Sequence, residues 1–222
     1  MIKILARSIF CFFMVCVTYV GCSSGSKDIK RTTFGDACVS GDYAQARQSL
    51  QDGVDPNGKF KLFPTDNDST TPLMAAVGFA HPKIVNLLLL NGANPNINGS
   101  KADENPLMTA VIECEENANP QIRKMSDLIR FGDSSGDTRE RVYSEIISSL
   151  LKAGASPNVI DRQGSTPLHR AAQFCDLTTV QLLLQYGADP NAKNRYGKAP
   201  MDLVDDSCKS IHELLVNAHS KK

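Results

Sequence analysis

The sequence predicts an all-α repeat solenoid of about five stacked helix-turn-helix units with fingers between them. Two short motifs alternate along the chain. The first closes each Leu-rich run with a glycine and a Pro-Asn pair, and its asparagines are Asn57, Asn96, Asn158 and Asn191. The second places a proline before an apolar residue, at Pro72, Pro106, Pro167 and Pro200. The last two prolines are 33 residues apart, a period typical of stacked repeats.

The residue types at these motifs predict where each helix begins and ends. Thr71 and Thr166 are good N-caps, and the proline after each of them occupies the first helical position, where no N–H is needed. A second, Leu-rich helix follows, and the glycine after it, as at Gly92 and Gly187, adopts the left-handed conformation that ends a helix. The predicted unit is therefore a helix, a turn, a second helix and an extended finger.

The segment from Thr166 to Gly197, TPLHRAAQFCDLTTVQLLLQYGADPNAKNRYG, resembles the ankyrin repeat almost position by position. The resemblance extends over residues 34–218 and implies an ankyrin-repeat domain with β-hairpin-like fingers that binds a protein and is not an enzyme. It also implies that His169 forms hydrogen bonds between repeats. Residues 34–57 lack the Thr-Pro-Leu motif, and the last unit leads into a polar tail at 219–222, so these two units are expected to cap the ends.

Residues 1–21 have the layout of a secretory signal peptide. Lys3 and Arg7 precede an apolar run that extends from Ile9 to Val20. As a helix this run would reach about 18 Å, well short of the ~30 Å hydrocarbon core of a bilayer. A transmembrane helix is therefore not expected there.

Gly21 and Cys22 end the apolar run and resemble the lipobox of bacterial lipoproteins, although Tyr19 stands where leucine is usual. The resemblance implies that Cys22 carries the lipid and that the protein is a lipoprotein on the periplasmic face of the outer membrane. Residues 22–33 are polar and lack apolar periodicity, which predicts a flexible tether. A soluble periplasmic protein in which Cys22 is incidental is the alternative.

The third unit contains an insertion of about 28 residues, spanning about 115–142, because the second motif recurs there after 61 residues instead of 33. Ile122 and Met125 lie on the apolar face of a first predicted helix, and Arg139 lies at the start of a second. The insertion either packs its apolar face on the neighbouring repeat or recognises a partner.

Three fingers carry further candidates for partner binding. The first is six residues longer than its counterparts, and its aromatic residues Phe60 and Phe63 either fold back onto the domain or anchor a partner. The later two have the tips Arg162-Gln163 and Arg195-Tyr196, at positions that ankyrin proteins vary to select a partner. Arginine and tyrosine are common at the energetic centre of interfaces, whereas ordinary solvated tips are the alternative.

Four cysteines lie outside the signal peptide and the lipid site, and an oxidising periplasm allows three pairings among Cys38, Cys114, Cys175 and Cys208. The last three each follow a motif proline by eight residues, which places them at equivalent turns of successive repeats. Equivalent Cα atoms in stacked repeats are about 10 Å apart, beyond the ~7 Å limit of an unstrained disulfide. Free or weakly paired thiols are therefore expected unless a turn is distorted.

The sequence lacks the arrangements typical of active sites. Its 24 basic and 24 acidic residues balance, which gives no reason to expect a nucleic-acid partner. The four histidines have no metal-ligand spacing, and no nucleophile or phosphate-binding motif is present, so neither a metal nor a cofactor is expected. These observations predict a monomeric, non-catalytic module that binds one specific protein.

Ankyrin-repeat lipoproteins look like immunity proteins that neutralise secreted antibacterial effectors such as lipases, and this resemblance implies the same role here. Two alternatives remain. A periplasmic scaffold would hold a resident enzyme, still active, near the membrane. An enzyme with its site in the insertion would need clustered titratable groups there, and the sequence offers no convincing cluster.

Overall fold

The structure is a computed structural model that describes residues 26–61, 69–99, 105–115 and 139–219. These residues form nine α-helices and one 3₁₀ helix and contain no strand. In chain order the helices are α1 Ser26–Ser40, α2 Tyr43–Gln51, α3 Pro72–Gly78, α4 Pro82–Leu90, α5 Pro106–Glu115, α6 Arg139–Lys152, α7 Pro167–Gln173, α8 Leu177–Gln185, the 3₁₀ helix Pro200–Leu203, and α9 Lys209–His219.

The helices are arranged in two layers. The first layer contains α1, α3, α5, α7 and the 3₁₀ helix, each packed against the next. The second layer contains α2, α4, α6, α8 and α9 in the same succession, and the two helices of each unit pack against each other. The prediction of five helix-turn-helix units in an all-α solenoid is confirmed.

The helices begin and end at the motif residues. Oγ1 of Thr71 accepts a hydrogen bond from the Met74 amide at 3.1 Å, and Pro72 is the first residue of α3. Thr166 caps α7 together with His169, whose Nδ1 accepts the Thr166 amide at 3.1 Å. Gly154, two residues after α6, has a φ of +87°, which glycine adopts without the steric cost of a side chain.

The core lies between the two layers, and α6 continues from the insertion directly into it. Tyr143, Ile146 and Ile147 of α6 are all 0% exposed. The Tyr143 hydroxyl donates to the Gly78 carbonyl at 3.4 Å, which joins α6 to the end of α3. The second helix predicted for the insertion is therefore present from Arg139 onward. The first predicted helix lies outside the described residues.

Asparagine side chains join consecutive units. The Asn57 side chain donates to the Gly92 carbonyl at 3.0 Å and accepts from the Asn94 amide at 2.8 Å. Asn96 and Asn158 each form the equivalent two bonds with the unit that follows. A side chain with both a donor and an acceptor is needed to satisfy two backbone groups at once, which explains the asparagine in the first motif.

Helix α1 begins at Ser26, so the chain is helical over residues 26–33, where a flexible tether was predicted. No proline or glycine separates Ser26 from the buried Phe34, and the helix therefore continues outward from the core. The tether prediction is corrected for this stretch. Residues 22–25 and the predicted signal peptide lie outside the described residues.

Cys175 and Cys208 form a disulfide with their Cα atoms 5.9 Å apart, which corrects the expectation of free thiols for this pair. The turns approach because the first helix of unit five is a four-residue 3₁₀ helix and Val204 after it is extended. Cys38 and Cys114 remain thiols, as expected, and the Cys114 thiol lies 3.6 Å from Oδ2 of Asp176. Burial raises the pKa of the Cys38 thiol to about 12, so it remains protonated at neutral pH.

Candidate protein-binding surface

The finger between units three and four ends in a tight turn at residues 161–165. The Asp161 amide donates to the Ser165 carbonyl at 3.0 Å, and the Gly164 amide donates to the Asp161 carbonyl at 2.9 Å. Oδ1 of Asp161 accepts from the amides of Gln163 and Ser165, both at 2.8 Å. Gly164 has a φ of +72°, which the turn requires and which residues with a side chain rarely adopt.

The finger between units four and five repeats this geometry at residues 194–198. The Asn194 amide donates to the Lys198 carbonyl at 3.0 Å, and the Gly197 amide donates to the Asn194 carbonyl at 2.9 Å. Oδ1 of Asn194 accepts from the amides of Tyr196 and Lys198 at 3.0 and 3.1 Å. Each of these two hairpin-like fingers therefore ends in a tight turn that is closed by hydrogen bonds between its own residues.

Backbone contacts hold the two turns together. The Arg195 amide donates to the Gln163 carbonyl at 2.9 Å. A Cβ placed on Gly164 would lie 3.2 Å from the Arg195 nitrogen, so the glycine allows the close approach. The two turns therefore place the predicted tips Arg162-Gln163 and Arg195-Tyr196 side by side.

The side chains at these two tips are exposed. Tyr196 is 74% exposed, and Ile160, which directly precedes the first turn, is 62% exposed. We call six exposed residues the tip surface: Ile160, Arg162, Gln163, Lys193, Arg195 and Tyr196. An exposed aromatic ring, an aliphatic side chain and arginines together are typical of the centre of a protein interface.

An ion pair fixes the first turn to helix α7. Nη2 of Arg170 donates to Oδ2 of Asp161 at 2.5 Å and to Oε1 of Gln163 at 3.3 Å. The Asp161 side chain is only 6% exposed, and a charge-assisted bond with so little water access is strong. Asp161 and Arg170 therefore hold the finger in place.

Two family comparisons match the repeats directly. Residues 68–100 match the family described as Ankyrin repeat, and residues 150–204 match the one described as Ankyrin repeats (many copies). The fold is an ankyrin-repeat solenoid. Such a solenoid is a protein–protein interaction module, and the second match contains both turns that carry the tip surface, residues 161–165 and 194–198.

Two relatives are similar to the ankyrin solenoid over about two thirds of this chain. Phosphocholine transferase AnkX of Legionella pneumophila is 26% identical over 162 residues, which cover 68% of this chain and 16% of that protein. A putative ankyrin repeat protein of fowlpox virus is 32% identical over 158 residues, which cover 67% of this chain and 19% of that protein. The chain thus spans less than a fifth of the length of each relative.

Phe60 is part of the core of the ankyrin solenoid. It is 8% exposed, and its ring lies against Gly35 of α1, where a Cβ would collide with it. Its amide donates to the Thr70 carbonyl at 2.9 Å, and the Thr70 amide returns a bond at 2.8 Å, which closes the base of the long finger. Of the two alternatives for Phe60, folding back onto the domain is therefore confirmed and an anchor for a partner is not, because its ring fills the space beside Gly35.

The other predicted binding residues belong to the long finger, the insertion and the N-terminal segment. Phe63, Ile122 and Met125 lie outside the described residues, as does the predicted lipid site Cys22. Arg139 is the first residue of α6, and its side chain is not described.

Two histidines, the buried His169 and the half-buried His81, have structural contacts. Nε2 of His169 donates to the Lys198 carbonyl at 3.0 Å, which confirms the predicted bond between repeats. Nε2 of His81 donates to the Val39 carbonyl at 2.9 Å. Burial lowers the pKa of both rings, so they are neutral at pH 7.

The described residues contain no group of three or more His, Cys, Asp and Glu side chains able to hold a metal ion. In the same part of the chain, no helix combines the length and the apolar character that crossing a bilayer requires.

Sequence reasoning missed Ile160 and Lys193 as members of the tip surface. The repeat period would have found them, because it aligns these two residues, each of which lies two positions before a tip arginine.

Proposed function

We propose that this chain is an immunity protein, held by a lipid on Cys22 at the periplasmic face of the outer membrane, that neutralises a secreted antibacterial effector such as a lipase. The observation that carries the proposal is the tip surface. Its two turns are fixed by the Arg195–Gln163 backbone bond, while Tyr196 is left 74% exposed. A rigid surface with an exposed aromatic residue can cover a partner's active site without chemistry of its own.

Export of the protein has independent support. The Cys175–Cys208 disulfide is of a kind that persists in oxidising compartments such as the periplasm and is rare in the cytosol. The pair Gly21-Cys22 supports attachment of a lipid. In cells, Cys22→Ser is expected to move the protein from the membrane fraction to the soluble fraction. An unchanged membrane fraction would contradict the anchor.

Neutralisation is tested with the tagged full chain, purified in detergent and mixed with the proteins that a competing strain secretes. We expect it to capture one hydrolase and to inhibit it at a one-to-one ratio. A double variant, Arg195→Glu with Tyr196→Ala, is the matched control that keeps the fold but alters the tip surface. A captured enzyme that keeps its activity would contradict neutralisation and point to a scaffold, and capture of no protein would overturn the proposal.

A further inference from the structure

The tip surface carries positive charge in an otherwise balanced chain. Arg162 and Arg195 are exposed on the turns, Lys193 is exposed beside them, and Lys198 is exposed at the end of the second turn. The only carboxylate within the two turns is Asp161, which is 6% exposed and paired with Arg170. The second turn and Lys193 beside it therefore present three cationic groups within six residues, and no acidic side chain lies among them.

The two turns keep these charges close to one another. Arg162 and Arg195 occupy equivalent positions of the two turns, which the Arg195–Gln163 backbone bond of 2.9 Å holds together. Within the described part of the chain, Lys193, Arg195 and Lys198 form no ion pair. Like charges held this close at one turn repel, and carboxylates placed beside them would relieve this repulsion.

The apolar residues among these charges indicate the class of partner. Ile160 and Tyr196 are 62% and 74% exposed, and both gain free energy when a partner removes them from water. A nucleic-acid backbone or a lipid headgroup layer supplies negative charge but offers Ile160 no matching apolar contact. A protein surface supplies both kinds of group.

We infer that the tip surface recognises a protein patch in which carboxylates surround an apolar centre. This inference rests on the proposed binding function and specifies the chemistry of its partner. The charges accelerate association and fix orientation, and the apolar contacts of Tyr196 and Ile160 slow dissociation.

A defined acidic probe tests the chemistry. The full chain in detergent is titrated into a fluorescent random copolymer of glutamate and tyrosine, and anisotropy is measured at 50 and 300 mM salt. The tip variant Lys193→Glu with Arg195→Glu is compared with a control of equal charge change, Lys83→Glu with Lys152→Glu, two exposed lysines of the second layer. We expect the tip variant to bind at least about tenfold more weakly, the control to change less than about twofold, and salt to weaken the wild type more than the tip variant.

Equal losses in both variants, or a loss in neither, would overturn the inference. Tighter binding of a DNA duplex or of phosphatidylglycerol vesicles through the same residues would overturn it as well, in favour of a general polyanion surface. A separate arm uses the hydrolase captured by the wild type. Capture that the tip variant retains overturns the inference and leaves the proposed function standing, whereas no capture by the wild type overturns the proposed function itself.

Discussion

Single polar residues in this protein have two distinct roles, which burial separates. His81 and His169 are drawn into the boundaries between units, where each donates a ring hydrogen to a carbonyl of its neighbour. Arg195 and Tyr196 lie on the next finger but remain exposed. The role of His169 could be predicted from its motif, whereas that of His81 could not, because its partner Val39 is 42 residues away in sequence.

The two histidines predict that the protein loses stability in mild acid. Burial, the larger effect, holds their folded pKa values below the ordinary value of 6.5. The two histidines of the unfolded chain therefore bind protons at a higher pH than those of the folded protein. Their contribution to the free energy of unfolding is complete above pH 6.5 and decreases as the pH falls below 6.5. The urea midpoint should be lower at pH 5.5 than at pH 7.5, and the double variant His81→Gln with His169→Gln should show a weaker dependence. A midpoint that rises toward pH 5.5 would refute this.

At the scale of elements, the motifs predicted helix boundaries because N-caps, first-turn prolines and C-terminal glycines act locally. The conformations of the long finger and of the fifth unit do not follow from these local signals. The side on which Phe60 lies depends on the space above Gly35, a contact between distant parts of the chain. The Cys175–Cys208 pair depends on a first helix of unit five that is only four residues long. Neither fact can be read from a periodic pattern.

Phe60 and Tyr196 are predicted to respond to alanine in opposite ways. Phe60→Ala should lower the free energy of unfolding by about 3 to 5 kcal/mol, because it empties a core site. It should leave the affinity of the folded protein for its partner unchanged. Tyr196→Ala should change stability by less than about 0.5 kcal/mol yet weaken partner binding at least about tenfold. Urea unfolding measures the stability, and titration with the captured partner measures the affinity. The reverse pattern would place Tyr196 in the core and Phe60 at the partner, contrary to this account.

The disulfide is predicted to hold the C-terminal unit on the solenoid. Cys208→Ser should lower the free energy of unfolding by about 2 to 4 kcal/mol and accelerate hydrogen exchange in α9. Cys114→Ser, at a half-buried cysteine outside the disulfide, is the control and should have a smaller effect. If oxidised and reduced wild type unfold at the same urea concentration, the disulfide has no such role.

At the scale of the whole molecule, one repeated contact joins each pair of neighbouring units from unit one to unit four, and the insertion does not interrupt it. Asn96 donates to the Gly154 carbonyl at 3.0 Å and accepts from the Ser156 amide at 2.9 Å, across the break between α5 and α6. The insertion lies between the two helices of unit three, α5 and α6, and not in a finger. The fingers therefore keep the same alignment on both sides of it. The architecture was predictable because every unit repeats it, but the partner was not, because recognition depends on the few residues in which the fingers differ.

The measurement that tests the central claim most directly is hydrogen–deuterium exchange of the full chain with and without its captured partner. We expect the partner to slow exchange in the two turns, residues 161–165 and 194–198, and to leave α4 and α6 in the second layer unchanged. Protection confined to the second layer, with none in the turns, would contradict the claim that this ankyrin solenoid binds its partner through the tip surface.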